Sequence, residues 1–266
     1  MTMRKVDPVP PAAGYSLVEL LCCVASRLLE DNRSVFVGTG MPMVASMLAQ
    51  RTSAPKMLII FEAGGVGPQV PVLPISVGDS RTYHRAVAAS SMHDVMSAAQ
   101  AGYIDYGFLG AAAMDAYGNI NTTVIGDWSK PKARLPGSGG ANDIGSFCWR
   151  TMYIMRGQSK RTFMNKLDFL TTPGYLGGPG KREEAGLPAD GGPYRVITQL
   201  GVYGFDEDTK RLMLLSLHPG VTVDEVQANS EFEILIPESI SITSPPTAEE
   251  CRILHEIDPT GLVLGK

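Results

Sequence analysis

Cysteine is sparse in this chain: Cys22, Cys23, Cys148 and Cys251 are the only four in 266 residues. None has the spacing of a zinc site, and so few thiols in a chain of this size exclude a disulfide scaffold. They read as small buried hydrophobes in a reducing compartment. Long apolar runs are missing too. No segment approaches the ~18 apolar residues of a membrane-spanning helix. Met1–Pro11 carries charge and three prolines but no apolar core of a signal peptide. These absences predict a cytoplasmic protein without a membrane partner.

A surplus of one charge is also absent. With 23 basic and 27 acidic residues the net charge is −4, which gives no footprint for a nucleic acid. The short basic segment Lys130–Arg134 is broken by Pro131 and reads as a solvated loop. The four histidines, His84, His93, His218 and His255, show no metal-type spacing, so no metal is expected. His218, in Leu217-His218-Pro219-Gly220, reads as a structural turn residue. No GxSxG elbow, no Walker loop and no dinucleotide fingerprint occurs.

What is present is the patterning of one large α/β domain, with 44% hydrophobic and 19% charged residues. Residues 1–14 read as a loose arm and 15–266 as the domain. Ser16 with Glu19 forms a capping-box pattern ahead of a helix to about Glu30. Ser34–Val37 reads as a strand, Gly38-Thr39-Gly40 as a turn, and the segment from Met41 to about Gln50 as a helix with Pro42 at a tolerated early position. The run Met57-Leu58-Ile59-Ile60-Phe61 is then a strand buried on both faces. Strand, helix, strand is a βαβ unit, which predicts a largely parallel central sheet wrapped by helices. Further strands are expected at Tyr106–Gly110, Ile120–Ile125, Thr151–Met155, Leu167–Leu170, Tyr194–Thr198, Val202–Phe205, Leu212–Leu217 and Phe232–Ile236. Helices are expected at Met92–Gln100, Val223–Ala228 and Ala248–Ile257. Gly64–Asp79 reads as an irregular loop. Pro173–Pro193 reads as another, with Lys181, Arg182, Glu183 and Glu184 on a solvated excursion.

Three features carry chemistry. The Met57–Phe61 strand runs straight into Glu62, followed by Ala63-Gly64-Gly65. An ionised carboxylate is costly to bury, so Glu62 is expected just past the strand end, where open α/β sheets hold their ligands. It reads as a nucleophile, or as a carboxylate that caps a helix or pairs with a base. Gly38-Thr39-Gly40 leaves backbone amides free at a helix start, or is a plain turn. Pro136-Gly137-Ser138-Gly139-Gly140-Ala141-Asn142 is either a loop that donates amides to a developing oxyanion or a tight turn. Cys148, on a helix after that loop, reads as a packed thiol, or a reactive one if it stands at a helix N-terminus.

Together these motifs resemble the β subunit of family I coenzyme A transferases, closest to the glutaconate CoA-transferase type. The resemblance rests on Val37-Gly38-Thr39-Gly40-Met41-Pro42, Glu62-Ala63-Gly64, Ser76-Val77-Gly78-Asp79, Gly110-Ala111, Asp115-Ala116-Tyr117-Gly118-Asn119-Ile120-Asn121, Gly126-Asp127, Gly137–Asn142 and Arg161–Lys166. It spans nearly the whole chain. It implies that Glu62 is a covalent nucleophile forming an acyl-glutamyl anhydride and then a glutamyl-CoA thioester. It implies oxyanion or coenzyme A contacts from Gly137, Gly139 and Gly140, with the Gly139 amide the foremost donor, and from Gly38 and Gly40. Coenzyme A then enters as a substrate thioester, with no permanently bound cofactor. The resemblance further implies an α subunit partner, αβ hetero-oligomers with the site between subunits, and a short dicarboxylic acid or its acyl-CoA as substrate. The family usually has Ser or Asn after the glutamate; Ala63 removes a side chain that would orient Glu62. The alternatives on the same fold are an acyl-CoA hydrolase, a decarboxylase or lyase, and a non-catalytic subunit that completes its partner's site.

Overall fold

The computed structural model describes residues 14–265, so the expected arm at 1–14 lies, but for Gly14, outside the described residues. In chain order the elements begin with α1 (Leu17–Ser26), β1 (Ser34–Val37), α2 (Met41–Arg51), β2 (Leu58–Ile60), β3 (Gly65–Val66) and β4 (Ala88–Ala89). Next come α3 (Met92–Gln100), β5 (Tyr106–Gly110), β6 (Ala113–Met114), β7 (Ile120–Asn121), β8 (Val124–Gly126), β9 (Pro131–Arg134), α4 (Ala141–Phe147) and β10 (Arg150–Ile154). The chain continues with α5 (Lys181–Glu184), β11 (Gly192–Ile197), β12 (Gly201–Phe205), β13 (Leu212–Leu217), α6 (Val223–Ala228), β14 (Ser241–Ile242) and α7 (Ala248–Ile257).

Ten strands form one sheet in the order β14-β13-β12-β11-β10-β5-β1-β2-β3-β4. The central run β2-β1-β5-β10-β11 is parallel throughout. Antiparallel strands β12 and β13 extend one side, where β14 adds a last parallel pair; β3 and β4 extend the other side antiparallel. The unbroken apolar runs follow from helices on both faces. In β1, Val35 and Val37 enter the core under α1, α2 and α7, while Phe36 enters the core under α3 and α4. Ile59 and Ile60, Phe108 and Leu109, and Met152 and Tyr153 divide in the same alternating way.

The strand order also creates the site. The chain steps from β1 outward to β2 through α2, then crosses back to the other side of β1 to lay down β5. The connections thus part between β1 and β5, and the crevice beyond their carboxyl ends is where open α/β sheets bind ligands.

Several expectations need correction. α1 stops at Ser26, whose hydroxyl turns back to the Cys23 carbonyl at 2.8 Å, and the chain leaves in 3-10-type turns. Part of the expected 64–79 loop is strand β3, paired with β2 and β4. Lys130–Arg134 is solvated as expected, but Pro131–Arg134 is strand β9 against β8. Ile120–Ile125 splits into β7 and β8, because the Asn121 side chain accepts the Thr123 and Val124 amides and turns the chain. Leu167–Leu170 is no strand: Asp168 is spent on the Gly126 amide at 2.9 Å, and Phe169 stacks on Trp128. Phe232–Ile236 reaches only a single bridge, from Leu235 to Met213.

Candidate active site

Glu62 stands at the tip of a tight hairpin turn between β2 and β3. The Gly64 amide donates to the Phe61 carbonyl at 2.9 Å, and the Phe61 amide donates to the Gly65 carbonyl at 2.9 Å. Glycine is required in this turn because other parts of the chain press against it. A Cβ on Gly64 would fall 2.1 Å from the Ser90 carbonyl oxygen, and one on Gly65 would fall 2.2 Å from that of Thr82. The close approach allowed by these glycines is therefore taken up by the chain itself. The Tyr83 hydroxyl donates to the Ala63 carbonyl, and the Ser90 amide donates to the Gly64 carbonyl. The turn is thus aimed by contacts to its own backbone, none of which uses a side chain at position 63.

The Glu62 carboxylate is half-buried and, among the described residues, makes no hydrogen bond and no ion pair. It is neither a helix cap nor half of a salt bridge. It lines a cavity of about 340 Å³ with Gly38, Thr39, Gly110, Ala111, Thr122, Gly137, Ser138 and Gly140. The cavity opens at the carboxyl ends of β1 and β5, over the crevice that the strand order creates.

The glycine loop before α4 forms the wall facing Glu62. A Cβ on Gly139 would lie 3.8 Å from Glu62 Oε1, and one on Gly140 would lie 3.0 Å from it. Among the described residues the Gly139 and Gly140 amides have no hydrogen-bond acceptor. Gly38 and Gly137 differ. The Gly38 amide donates to the Phe108 carbonyl at 2.9 Å, and the Gly137 amide to the Thr122 carbonyl at 2.8 Å. Both help wall the cavity, but neither amide is free to serve as an oxyanion donor, which corrects that part of the expectation. Gly40 caps the start of α2 and opens onto a neighbouring cleft that shares Thr39, Gly110 and Ala111 with the first.

The similarity of the chain to known proteins follows this geometry. A family model described as Coenzyme A transferase matches residues 22–229. The chain belongs to the coenzyme A transferase family. It is 39% identical over 247 residues to the β subunit of the 3-oxoadipate CoA-transferase of Pseudomonas knackmussii, covering 92% of this chain and 94% of the relative. It is 36% identical over 251 residues to the β subunit of the glutaconate CoA-transferase of Acidaminococcus fermentans, again covering 92% and 94%. The crystal structure of that glutaconate coenzyme A-transferase superposes with a TM-score of 0.89 at 34% identity, over 95% of this chain and 98% of the other. A solved decarboxylase, AibA/AibB, has the same fold at 25% identity and a TM-score of 0.78, over 93% of this chain and 96% of the other.

In this CoA-transferase chain Thr122 and Asn142 also hold the glycine loop. The Thr122 hydroxyl donates to the Gly137 carbonyl at 2.9 Å, and the Asn142 side chain donates to the Thr171 carbonyl at 3.0 Å. Asn119 ties Asp115 to the backbone at Gly174 and Leu176. Burial holds the Asp115 carboxyl above the usual range, its hydrogen bonds partly opposing this. Sequence reasoning quoted Ala111 and Ser138 within motifs but did not name them, or Thr122, as cavity walls. The only signal for Thr122 was the polar run after Ile120. Cys148 is the C-cap of α4, not an N-terminal residue, and is wholly buried. Burial pushes its thiol up to about 12, so it is a packed thiol and no nucleophile. His218 is a buried structural residue, bonded to the Thr198 carbonyl and the Thr243 hydroxyl. Among the described residues no cluster of His, Cys, Asp and Glu could hold a metal ion, and no helix is long and apolar enough to cross a membrane.

Proposed function

We propose that this chain is the glutamate-bearing subunit of a cytoplasmic αβ CoA-transferase that exchanges coenzyme A between an acyl-CoA and a dicarboxylic acid. One observation carries the reading: the Glu62 carboxylate lies in a cavity with no partner among the described residues, beside Gly139 and Gly140, whose amides have no acceptor there. A carboxylate held this way is a usable nucleophile, because no partner must be broken before it attacks. One Glu62 oxygen adds to the thioester carbonyl, and the CoA thiolate leaves, giving a mixed anhydride. The thiolate then adds to the Glu62 carbonyl and expels the first acid as its carboxylate, giving a glutamyl-CoA thioester. The acceptor carboxylate reverses these two steps and regenerates the free glutamate. Each addition puts negative charge on a carbonyl oxygen, and the Gly139 and Gly140 amides are our candidates to receive it. Coenzyme A is a substrate here and no resident cofactor is required. The α subunit follows from the relatives being β subunits, and the dicarboxylic acid from their names, 3-oxoadipate and glutaconate.

The test is intact mass of the αβ complex after brief incubation with acyl-CoA and then borohydride. Borohydride reduces a glutamyl thioester to an alcohol, so the Glu62 carboxyl loses an oxygen and gains two hydrogens. That change at Glu62, with exchange abolished by Glu62→Ala, is the expected result. A second reading, a hydrolase or decarboxylase, is favoured by the likeness to AibA/AibB. It predicts CoA release or carbon dioxide without an acceptor acid and an unmodified Glu62, and that outcome would replace the transferase reading. Full activity in Glu62→Ala would instead leave the chain a non-catalytic subunit.

A further inference from the structure

A cavity of about 520 Å³ opens at the amino edge of the sheet and is lined by Gln50, Arg51, Gln69, Pro71, His84 and Arg85, among others. Its place follows from the topology. Gln50 and Arg51 close α2, and the chain then enters β2 at its amino end. The Gly67 amide donates to the Ile59 carbonyl at 2.7 Å, so the chain leaving β3 returns to that same end. The Gln69 amide donates to the His84 carbonyl at 2.9 Å, which ties the second wall to the first. Glu62 stands at the opposite end of β2, and its cavity shares no residue with this one.

Among the described residues two arginines and a histidine line this one cavity and no carboxylate does. Arg51 is fixed at the wall, where its Nη2 donates to the Pro71 carbonyl at 2.6 Å and to that of Val70 at 3.4 Å. Its acidic neighbour, Glu256, is 3.9 Å from Nη1 and is already engaged by Arg252. His84 and Arg85 are exposed, and among the described residues neither side chain makes a hydrogen bond or an ion pair. Surface arginines with no partner are common, but Arg85 is also held in left-handed backbone at φ 51°, where a residue with a Cβ is strained. The Ala86 amide, donating to the Tyr83 carbonyl at 3.1 Å, and the Val87 amide, donating to the Val66 carbonyl at 2.9 Å, hold it there. Glycine meets that conformation without strain, so the turn itself does not call for an arginine.

We infer that Arg51, His84 and Arg85 hold a phosphate group in this cavity, as inorganic phosphate or as part of a phosphate ester or diphosphate. A concave wall of one charge sign focuses its field on an anion. Guanidinium forks match phosphate oxygens through paired, charge-assisted bonds. A phosphate also offers enough oxygens to accept from two guanidinium groups, an imidazole N–H and the Gln69 carboxamide together, which a single carboxylate does not. The site stands apart from the Glu62 cavity and does not depend on the transferase reading.

The experiment is calorimetry on the αβ complex at low ionic strength, with inorganic phosphate, pyrophosphate, ADP and acetate as probes. Wild type is compared with Arg85→Gly and Lys132→Ala. Arg85→Gly removes the guanidinium from a backbone that suits glycine. Its urea midpoint is expected to stay close to that of wild type, since relief of the strained turn offsets the added freedom of the unfolded chain. Lys132→Ala removes an exposed cation from β9 and controls for net charge. Wild type is expected to bind pyrophosphate about tenfold or more tighter than acetate. Arg85→Gly weakens pyrophosphate about 10- to 100-fold, and Lys132→Ala changes it less than about two-fold. Competition with coenzyme A names the source. If coenzyme A displaces pyrophosphate and suffers the same loss in Arg85→Gly, the site holds the phosphates of the substrate; if it does not, the site holds a separate phosphate compound. Three results overturn the inference: wild type binds phosphate and pyrophosphate no better than acetate; Arg85→Gly binds them as wild type does; or Lys132→Ala loses as much as Arg85→Gly, which would leave only general attraction between charges.

Discussion

Gly140 and Glu62 stand so close that a single methyl group on Gly140 would lie 3.0 Å from Glu62 Oε1 and 2.3 Å from Met96 Cε. The backbone of Gly140 has φ −83°, which any residue adopts. Glycine is therefore needed here for space, not for conformation. Met96 ends in a flexible thioether and can swing away. The Phe61–Gly65 turn fixes the Glu62 backbone, so the carboxylate yields only by turning about its side-chain bonds, away from the glycine loop.

If Glu62 is the nucleophile, Gly140→Ala is expected to fold and assemble normally yet lose about 100-fold in kcat, because the displaced carboxylate no longer meets the thioester carbonyl. Steady-state exchange assays and the yield of borohydride-trapped Glu62 check this together. Adding Met96→Ala relieves only the thioether contact, so the double variant stays slow. Recovery of wild-type rate in the double variant would show that Met96, and not Glu62, sets the limit.

Much of the scaffold was legible because both faces of the central strands are covered. That burial forces unbroken apolar runs, and β5, β13, α3, α6 and α7 stand where periodicity and capping place them. Side chains that serve another element misled the reading. Asp168 and Phe169 look like strand residues but hold the β8–β9 hairpin. Glu62 and the glycine loop were visible as types. Which amides stay free was not, because Phe108 and Thr122 claim those of Gly38 and Gly137 only once the chain is folded.

His218 supplies a pH dependence. Its ring is buried, with Nε2 2.8 Å from the Thr198 carbonyl, which can only accept, so Nε2 carries the proton and Nδ1 accepts from the Thr243 hydroxyl. Burial pushes its pKa below the usual imidazole value, the Thr198 bond partly opposing this. The unfolded chain therefore binds a proton that the native ring resists. This contribution to stability is complete above the ordinary histidine pKa of about 6.5 and is lost as pH falls below it. Urea midpoints taken from pH 7.5 down to pH 5 are expected to fall in wild type. His218→Gln flattens that part of the slope and costs about 1–2 kcal/mol at neutral pH through its lost hydrogen bonds. An unchanged slope in the variant would assign the effect elsewhere.

Arg182 contradicts the expectation of a solvated excursion most directly. It is only 1% exposed, although Lys181, Glu183 and Glu184 on the same short helix face solvent. Its guanidinium donates to the carbonyls of Gly174 at 2.8 Å, Ser146 at 3.0 Å, Gly145 at 3.3 Å and Pro173 at 3.4 Å. It thus joins the far end of α4 to the 173–174 loop, and α4 is the helix that follows the Gly139–Gly140 wall. Burial lowers its pKa, with nearby Tyr153 and Tyr175 partly opposing this. Removing a buried donor leaves several carbonyls unsatisfied, so Arg182→Met is expected to cost about 2–4 kcal/mol. Lysine offers one compact charge in place of a planar fork, so Arg182→Lys recovers little. Glu184→Ala, which breaks only the exposed pair with Lys181, is expected to change stability by less than about 0.5 kcal/mol. Denaturant titration of the three variants separates these cases. A mild Arg182→Met would mean that the 173–174 loop and α4 hold each other without the guanidinium.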